Sequence, residues 1–503
     1  MYRFERQWVS KLVPANPRLL TTLLVAVAVV NSATLGYDAS VMNGLSILPS
    51  YTEYFHLNDA TTGLNNAAVW MGSILGLAVV QPIPDKFGRK NGILVATIIT
   101  VIGIVLQAAA QNIAMFVIAR MIIGFGTILS NVSAPPLLAE LLPPKSRSYV
   151  LGIFFSCFYV GGLLSAIINY GSQNIQSTWS WRLPSLLQFI PSLIAIAFLP
   201  FIPESPRWLI ANNQEEHAVE VLAILSGDDS EDILQHATES MKDIKTIIAR
   251  EEAAYPKNPW REFISTPANR KRLSILIIFG AMLETMGNFI VSYYLTRILS
   301  QAGVTDPNRQ NQINVIIQCW SFIIAVIGSF MLDIIGRRIQ TLVGTAGMAL
   351  MLYLLGGLIK AYGDSTDPAK NYGIIAVIFL FQGFYAFSIT PMTSLYPTEI
   401  CQYKLRAAGS VIFRLIDNSL GLAASFSLSF AMSDLGWKFY LMNASWNLVF
   451  AVLVYFFFIE TKGLQLEEIA VKFGDDLGLD STGGSSTDIG KANVHVEATA
   501  KDI

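Results

Sequence analysis

Long apolar runs separated by short polar segments recur along the whole chain, near residues 19–41, 64–84, 92–111, 113–137, 149–170, 183–202, 273–300, 313–333, 340–361, 373–397, 405–431 and 437–459. A bilayer's hydrocarbon core is roughly 30 Å thick and needs about 20 apolar residues per helix. The pattern therefore predicts an all-α membrane protein with twelve transmembrane helices. Spans 3 and 4 nearly touch, which predicts a tight hairpin at Gln111-Asn112. The one long polar insert, 203–272, carries amphipathic stretches from Glu215 to Leu225 and from Glu231 to Ile248 that predict short soluble helices. The predicted organisation is an N-terminal segment (1–18), a first six-helix half (19–202), a linker (203–272), a second six-helix half (273–459) and a tail (460–503). That tail is too polar to order itself after about 475.

Composition agrees, with 53% apolar residues, 14% charged residues and a mean hydropathy of +0.49, which excludes an ordinary soluble domain. The net charge of −2 is uninformative, but its placement is not. Short loops rich in Lys and Arg stay in the cytoplasm. Lys86, Arg89 and Lys90 follow span 2, Lys145 and Arg147 span 4, Arg337 and Arg338 span 8, and Lys404 and Arg406 span 10, while Arg270, Lys271 and Arg272 precede span 7. The loop from Tyr51 to Thr62 and the turn after span 3 have none, although Arg309 and Lys370 stand in later outside loops. A multi-pass plasma-membrane protein with both termini cytoplasmic is expected. Span 1 follows Arg3, Arg6, Lys11 and Arg18 but is too long for a signal-peptide core, so it is expected to remain as an anchor. Cys157, Cys319 and Cys401 fall in or at the edge of spans and form neither a disulfide framework nor a metal-ligand spacing. The triplets Asn131-Val132-Ser133 and Asn443-Ala444-Ser445 lie inside spans, out of reach of glycosylation.

The two halves repeat one another. Asp85-Lys86-Phe87-Gly88-Arg89-Lys90 returns as Asp333-Ile334-Ile335-Gly336-Arg337-Arg338, Glu140 and Arg147 return as Glu399 and Arg406, and Glu204-Ser205-Pro206-Arg207 has a counterpart in Glu460-Thr461-Lys462-Gly463. Duplicated halves with charged motifs on one side are the build of a transporter that rocks around a central site. Asp85, Glu140, Glu204, Asp333, Glu399 and Glu460 would face Arg89, Arg147, Arg207, Arg337 and Arg406 there, and pairs bridging the halves would form a cytoplasmic gate. The competing reading is solvated loop charge that sets topology.

The motifs Asp85-x-x-Gly-Arg-Lys, Pro136-Leu-Leu-Ala-Glu140, Pro203-Glu-Ser-Pro-Arg-Trp208, Asp333-x-x-Gly-Arg-Arg and Glu460-Thr-Lys-Gly463 together resemble the sugar porter family of the major facilitator superfamily, from about 20 to 470. Gly287-Asn288-x-x-x-Ser292-Tyr293-Tyr294-Leu295, Ser180-Trp-Arg-Leu-Pro-Ser-Leu-Leu-Gln188 and Gly436-Trp-Lys-Phe-Tyr440 look like its fungal lactose and cellodextrin permease branch. The resemblance implies the major facilitator fold and a transporter, not an enzyme, that moves a small sugar, with no cofactor, no metal and no nucleic-acid partner. It is expected to work in the lipid bilayer as a monomer.

Charges within a span are costly and persist where they line a cavity or have a partner. Asp38 late in span 1 and Arg120 early in span 4 fall at a similar depth, so they could pair. In proton-coupled sugar porters the Asp of a Gly-Tyr-Asp and the Arg of span 4 form the coupling pair, and Gly36-Tyr37-Asp38 and Arg120 stand at those positions. The alternative is a static ion pair tying two helices.

Glucose-type members carry a Gln pair where this chain has Leu283-Glu284, a sugar-binding Gln where it has Phe155-Ser156, and often a Trp where it has Ser394. Glu284 is either a sugar hydroxyl acceptor or a protonated acid bonded to a neighbouring helix. Asn288, Gln318, Trp320, Tyr385, Asn418, Asn443 and Asn447 offer the donors, acceptors and stacking faces a polyol needs, or else hydrogen bonds between helices. Arg414 and Asp417 are expected to neutralise one another. The leading expectation is proton-coupled uptake of a lactose- or cellobiose-like disaccharide by alternating access. Its rivals are a hexose, pentose or polyol facilitator and a sugar sensor that does not transport.

Overall fold

The computed structural model describes residues 6–474 except Ala15, Gln81, 143–153, Phe155, 227–231, 255–257, 363–367, 403–404 and Gln465. Among the described residues every regular element is a helix. The membrane helices are α1 (Pro17–Ile47), α2 (Asp59–Val80), α3 (Arg89–Ala108), α4 (Ile113–Leu141), α5 (Phe158–Ser172), α6 (Trp179–Phe201), α7 (Pro267–Gln301), α8 (Pro307–Ile335), α9 (Arg337–Tyr362), α10 (Pro368–Ile400), α11 (Arg406–Leu435) and α12 (Lys438–Phe457). All of these except α2 and α5 are long and apolar enough over their described residues to cross a bilayer. Part of the fifth apolar run, and the tail expected to be disordered after about 475, lie outside the described residues.

Lipid offers backbone groups no water, so each span satisfies its own N–H and C=O groups, and its ends need caps. Asn112 caps α4 by accepting from Met115 N at 2.9 Å, which makes Gln111-Asn112 a tight hairpin. Prolines stand in the first turns of α1, α7 and α8, where no intrahelical donor is lost. The faces sort by packing rather than by polarity. On α3, Ile98, Ile102 and Val105 point outward at helical spacing, while Ile93, Ala96, Thr100 and Gly103 are buried. An apolar face left exposed on a helix of this hydropathy is a lipid face.

The packing repeats with the sequence. In the first half α1 packs on α5, and α4 on both α2 and α3; in the second, α7 packs on α11, and α10 on both α8 and α9. The halves meet through α2 with α11 and α5 with α8, two contacts exchanged by the same repeat, and α1 also meets the second part of α7. Small residues allow the closest approaches. A Cβ on Gly36 would lie 1.7 Å from Phe158 O and one on Gly161 1.8 Å from Ala33 O, so the α1 and α5 backbones touch.

Between the halves, helices Pro206–Ala211, Glu215–Ser226 and Ile233–Ala254 pack together. Glu220 accepts the backbone N–H groups of Gln7, Trp8 and Val9 at 2.8, 3.0 and 2.8 Å. Val9 and Val13 are buried in the same cluster as Val221 and Ile224, so the N-terminal segment docks on the linker.

Gly161→Ala is expected to lower the melting temperature of the purified protein, because overpacking of this kind typically costs about 1–3 kcal/mol. Gly171→Ala on the same helix, where a Cβ meets nothing within 4 Å, is the control expected to melt like the parent. Equal melting of the two variants would contradict the close α1–α5 approach.

Candidate functional site

The charged motifs gather on one side of the helix bundle as two matching capping devices. Gly88 (φ +100°) and Gly336 (φ +98°) precede α3 and α9 in a conformation that favours glycine. Each aims the first helical N–H groups at a carboxylate. Glu204 accepts from Arg89 N at 3.0 Å and Lys90 N at 3.1 Å, and Glu460 accepts from Arg337 N at 2.9 Å and Arg338 N at 3.1 Å. An anion at a helix N-terminus meets both unsatisfied donors and the positive end of the dipole. Burial pushes the Glu204 carboxyl up from its ordinary range, and these backbone bonds pull it back.

A second layer also repeats. Ser205 donates to Glu140 in a short hydrogen bond, and Thr461 donates to Glu399 at 2.6 Å. Arg337 pairs with Glu399 at 3.0 Å and Asp333 at 2.8 Å. Arg207 begins the first turn of the linker and Arg406 that of α11. Arg147 and the side chain of Asp85 lie outside the described residues.

Each of these contacts joins residues of one half, so none of them is itself one of the expected pairs bridging the halves. The reason is geometric: the acid that caps α3 or α9 must sit at the end of its own bundle.

In the bundle interior, Asp38 and Arg120 are both buried and close enough to feel each other's charge. The expected ion pair is not formed. Asp38 Oδ1 instead accepts a short hydrogen bond from Gln188 Nε2, and Arg120 Nε donates to Asn65 O at 3.1 Å. Asp38 Oδ2 and Arg120 NH1 and NH2 have no hydrogen-bond partner. Gln188 takes the acid because α6 packs against α1 at that depth.

Helix α7 is broken after Thr285, with Gly287 at φ +101° and a new helix from Asn288. The break frees carbonyls that α12 satisfies: Asn443 Nδ2 donates to Thr285 O at 2.9 Å and Asn447 Nδ2 to Met286 O at 3.0 Å. These two candidate sugar ligands therefore each spend one amide N–H on protein. Trp320 Nε1 donates to Phe379 O at 2.9 Å, which ties α8 to α10, and Asn418 Nδ2 donates to Arg414 O of its own helix at 2.6 Å.

Around the break the remaining candidates converge. Tyr385 donates its hydroxyl to Leu283 O at 3.5 Å and lies beside Asn288. Gln318 is buried against Gly162 across the interface of the halves. Glu284 is half-buried and lies within electrostatic reach of Asp417, which pairs with Arg414 at 3.3 Å. Ser156 bonds to Ser329 at 3.0 Å, tying the segment just before α5 to α8, whereas Phe155 and the side chain of Ser394 lie outside the described residues.

Several neighbours escaped sequence reasoning. Tyr159 bonds to Thr390 across the halves at 3.1 Å, buried Gln382 lies beside it, and Tyr293 lies within electrostatic reach of Asp38, Arg120, Glu284 and Asp417. Only the Met286-Gly287-Asn288 interruption of an apolar span could have signalled the break around which they gather.

On the side opposite the motifs the halves are latched together. Asn43 Nδ2 of α1 donates to Val291 O of α7 at 3.0 Å, and Asn43 Oδ1 accepts from Leu295 N at 3.4 Å. Arg297 forms a short ion pair with Asp59 at the start of α2. Gln173, just beyond α5, donates to Asn308 at 2.7 Å and accepts from Asn311 at 2.8 Å.

The family model described as "Sugar (and other) transporter" matches residues 24–473. The chain belongs to this family. A high-affinity glucose transporter of Kluyveromyces lactis is 27% identical over 472 residues, covering 90% of this chain and 84% of that protein. The fold matches the E. coli xylose transporter XylE in a partially occluded inward open conformation, with a TM-score of 0.74, 20% identity, and 89% of this chain and 100% of that chain covered. A second XylE structure, titled a proton:xylose symporter bound to 6-bromo-6-deoxy-D-glucose, gives a TM-score of 0.72 at 21% identity over 91% of this chain and 99% of that chain. The chain is thus a multi-pass membrane transporter of the major facilitator fold rather than an enzyme.

Breaking the Arg297–Asp59 latch should expose the central site from that side. In a cysteine-free background with Ser292→Cys as reporter, Arg297→Gln is expected to raise labelling by an impermeant thiol reagent several-fold, as loss of about 1 kcal/mol of closure implies. Unchanged labelling would show that the ion pair does not hold the closed arrangement.

Proposed function

We propose that this transporter takes up a small sugar together with a proton, in the plasma membrane, with the motif-bearing face and both termini in the cytoplasm. The observation that carries the reading is the Asp38 environment: a buried carboxyl bonded to an amide, with its second oxygen unpartnered, beside a guanidinium whose two terminal nitrogens are also unpartnered. Charges in the membrane interior persist where function needs them. An acid that alternates between an ionised state near Arg120 and a protonated state away from it carries a proton.

In that orientation the Asn43 and Asp59 contacts close the outer side, so a sugar between the halves would exchange with the cytoplasm. Gln318, Gln382, Tyr385, Asn288 and the free oxygens of Asn443 and Asn447 supply polar groups near the α7 break. The glucose name of the yeast relative and the proton:xylose title of the structural neighbour support a monosaccharide-sized substrate. A disaccharide is favoured only by the permease-like motifs around Gly287, Gln188 and Gly436.

Uptake of labelled glucose, xylose, lactose and cellobiose in transporter-deficient yeast, with and without a protonophore, tests the reading. Protonophore-sensitive accumulation of at least one sugar is expected. Asp38→Asn should abolish accumulation while retaining sugar exchange, because only the protonatable step is removed. Accumulation-free, protonophore-insensitive uptake by the parent would make it a facilitator, and sugar binding without any flux would make it a sensor.

A further inference from the structure

Where α1, α3, α4 and α6 of the first half meet, they leave a cavity with about 10 Å³ open to the centre of a water molecule. That is room for a water. Its wall is polar although it lies within the spans: Asn31, Thr97, Thr100, Thr127, Ser130 and Ser192 line it, and none of the lining residues ionises. The wall is also one-sided in its chemistry. Thr97, Thr100 and Thr127 donate their hydroxyls to Ile93 O, Ala96 O and Gly124 O at 2.7, 3.0 and 3.1 Å, and Ser130 donates to Asn31 Oδ1 at 3.0 Å. Those hydroxyl protons are spent within the bundle, while the hydroxyl oxygens keep lone pairs with which to accept. Ser192 is the exception, since its hydroxyl is buried and has no hydrogen-bond partner. A buried polar group without a partner calls for an occupant that supplies one. Water does so, because it accepts from Ser192 and donates to two of the other oxygens.

The position of the cavity ties it to the coupling acid. Asn31 precedes Asp38 by seven residues on α1, which places it about 10 Å nearer the motif-bearing side, where α1 begins. Ser192 follows Gln188, the residue bonded to Asp38, by one turn of α6 on the same face. Asp38 Oδ2 and Gln188 Oε1, like Ser192 Oγ, are buried without partners, so unmet polar atoms run from the acid to the cavity. Thr34 and Ser130 are only half-buried and form its rim, where α1 meets α4.

We propose that this cavity holds an ordered water and that the proton leaving Asp38 passes through it toward the motif-bearing face. The route lies inside the first half, apart from the α7 break where the sugar-ligand candidates gather. The step is a simple transfer: the Asp38 O–H bond breaks, the carboxylate keeps the electron pair, and the proton adds to water as hydronium. Water beyond the Thr34–Ser130 rim then takes that proton. The route rests on the proposed proton coupling, while the water site does not.

Ser192→Val, which fills the cavity with methyl groups, tests the route in the full chain reconstituted in proteoliposomes. Sugar-driven proton movement is followed with a pH indicator, and sugar exchange at equal concentrations, which needs no net proton transfer, is followed with label. The proton movement is expected to slow several-fold while exchange continues at the parent's rate. Equal loss of both, or no loss of either, overturns the route. If that variant does not fold, Thr34→Leu at the half-buried rim plugs the same cavity and is held to the same split. A high-resolution structure of the parent tests the site without a variant. An ordered water oxygen within hydrogen-bond distance of Ser192 Oγ is expected, and an empty cavity, or a sodium ion there with sodium-dependent uptake, overturns it. Protonophore-insensitive uptake by the parent, with that oxygen present, would overturn the proposed coupling and leave the water site standing.

Discussion

Within the membrane no backbone or charged group can rely on water, and the rest of this structure follows from how each exception to a continuous helix is repaired. Where α7 breaks at Gly287, amides from α12 take the freed carbonyls. Where α3 and α9 begin at a glycine turn, a carboxylate from the far end of the same half takes the freed N–H groups. Gly88 and Glu204, like Gly336 and Glu460, thus act as single devices. A side chain on the glycine would displace the acid, because a Cβ there would come within 2.3 Å of Glu204 Oε2 and 2.6 Å of Glu460 Oε2.

These repairs also explain how the molecule can be stiff in two parts and mobile between them. The motif contacts tie each half to itself, as do the close α1–α5 and α2–α4 approaches. Contacts between halves are of another kind: lone hydrogen bonds such as Ser156 to Ser329 and Tyr159 to Thr390, and the Asn43 and Arg297 latch. Such contacts are each worth about 1 kcal/mol and can be exchanged for others as the halves rotate.

The sequence made the architecture legible because membrane helices and their duplication are written in composition and spacing. Apolar runs of about 20 residues, the basic loops and the paired Gly-Arg and Pro-Glu motifs all resolve without knowledge of packing. Partners were less legible, since they depend on helix rotation. Asp38 and Arg120 share a depth but each makes its one hydrogen bond to another residue, Gln188 and Asn65, which come from neighbouring helices. Trp320, Asn443 and Asn447 read as sugar ligands by residue type, yet each donates to a backbone carbonyl. Arg414 and Asp417 do face one another, because a spacing of three on one helix needs no tertiary knowledge; that Glu284 of α7 lies within electrostatic reach of them was invisible in the sequence.

The charges in the bundle interior then read as one system. Asp38 and Arg120 belong to the first half and Glu284, Arg414 and Asp417 to the second, and Tyr293 lies within electrostatic reach of all of them except Arg414. Three carboxyls and two guanidiniums are neutral with one proton and singly negative with none. A low-dielectric interior penalises the second condition heavily. In the proposed cycle, rotation of the halves would change the field that each group of charges sets up at the other, and a sugar bringing hydroxyl donors to the acids would compete with a proton for the same oxygens. Conformation, protonation and ligand would then be linked through one small set of side chains.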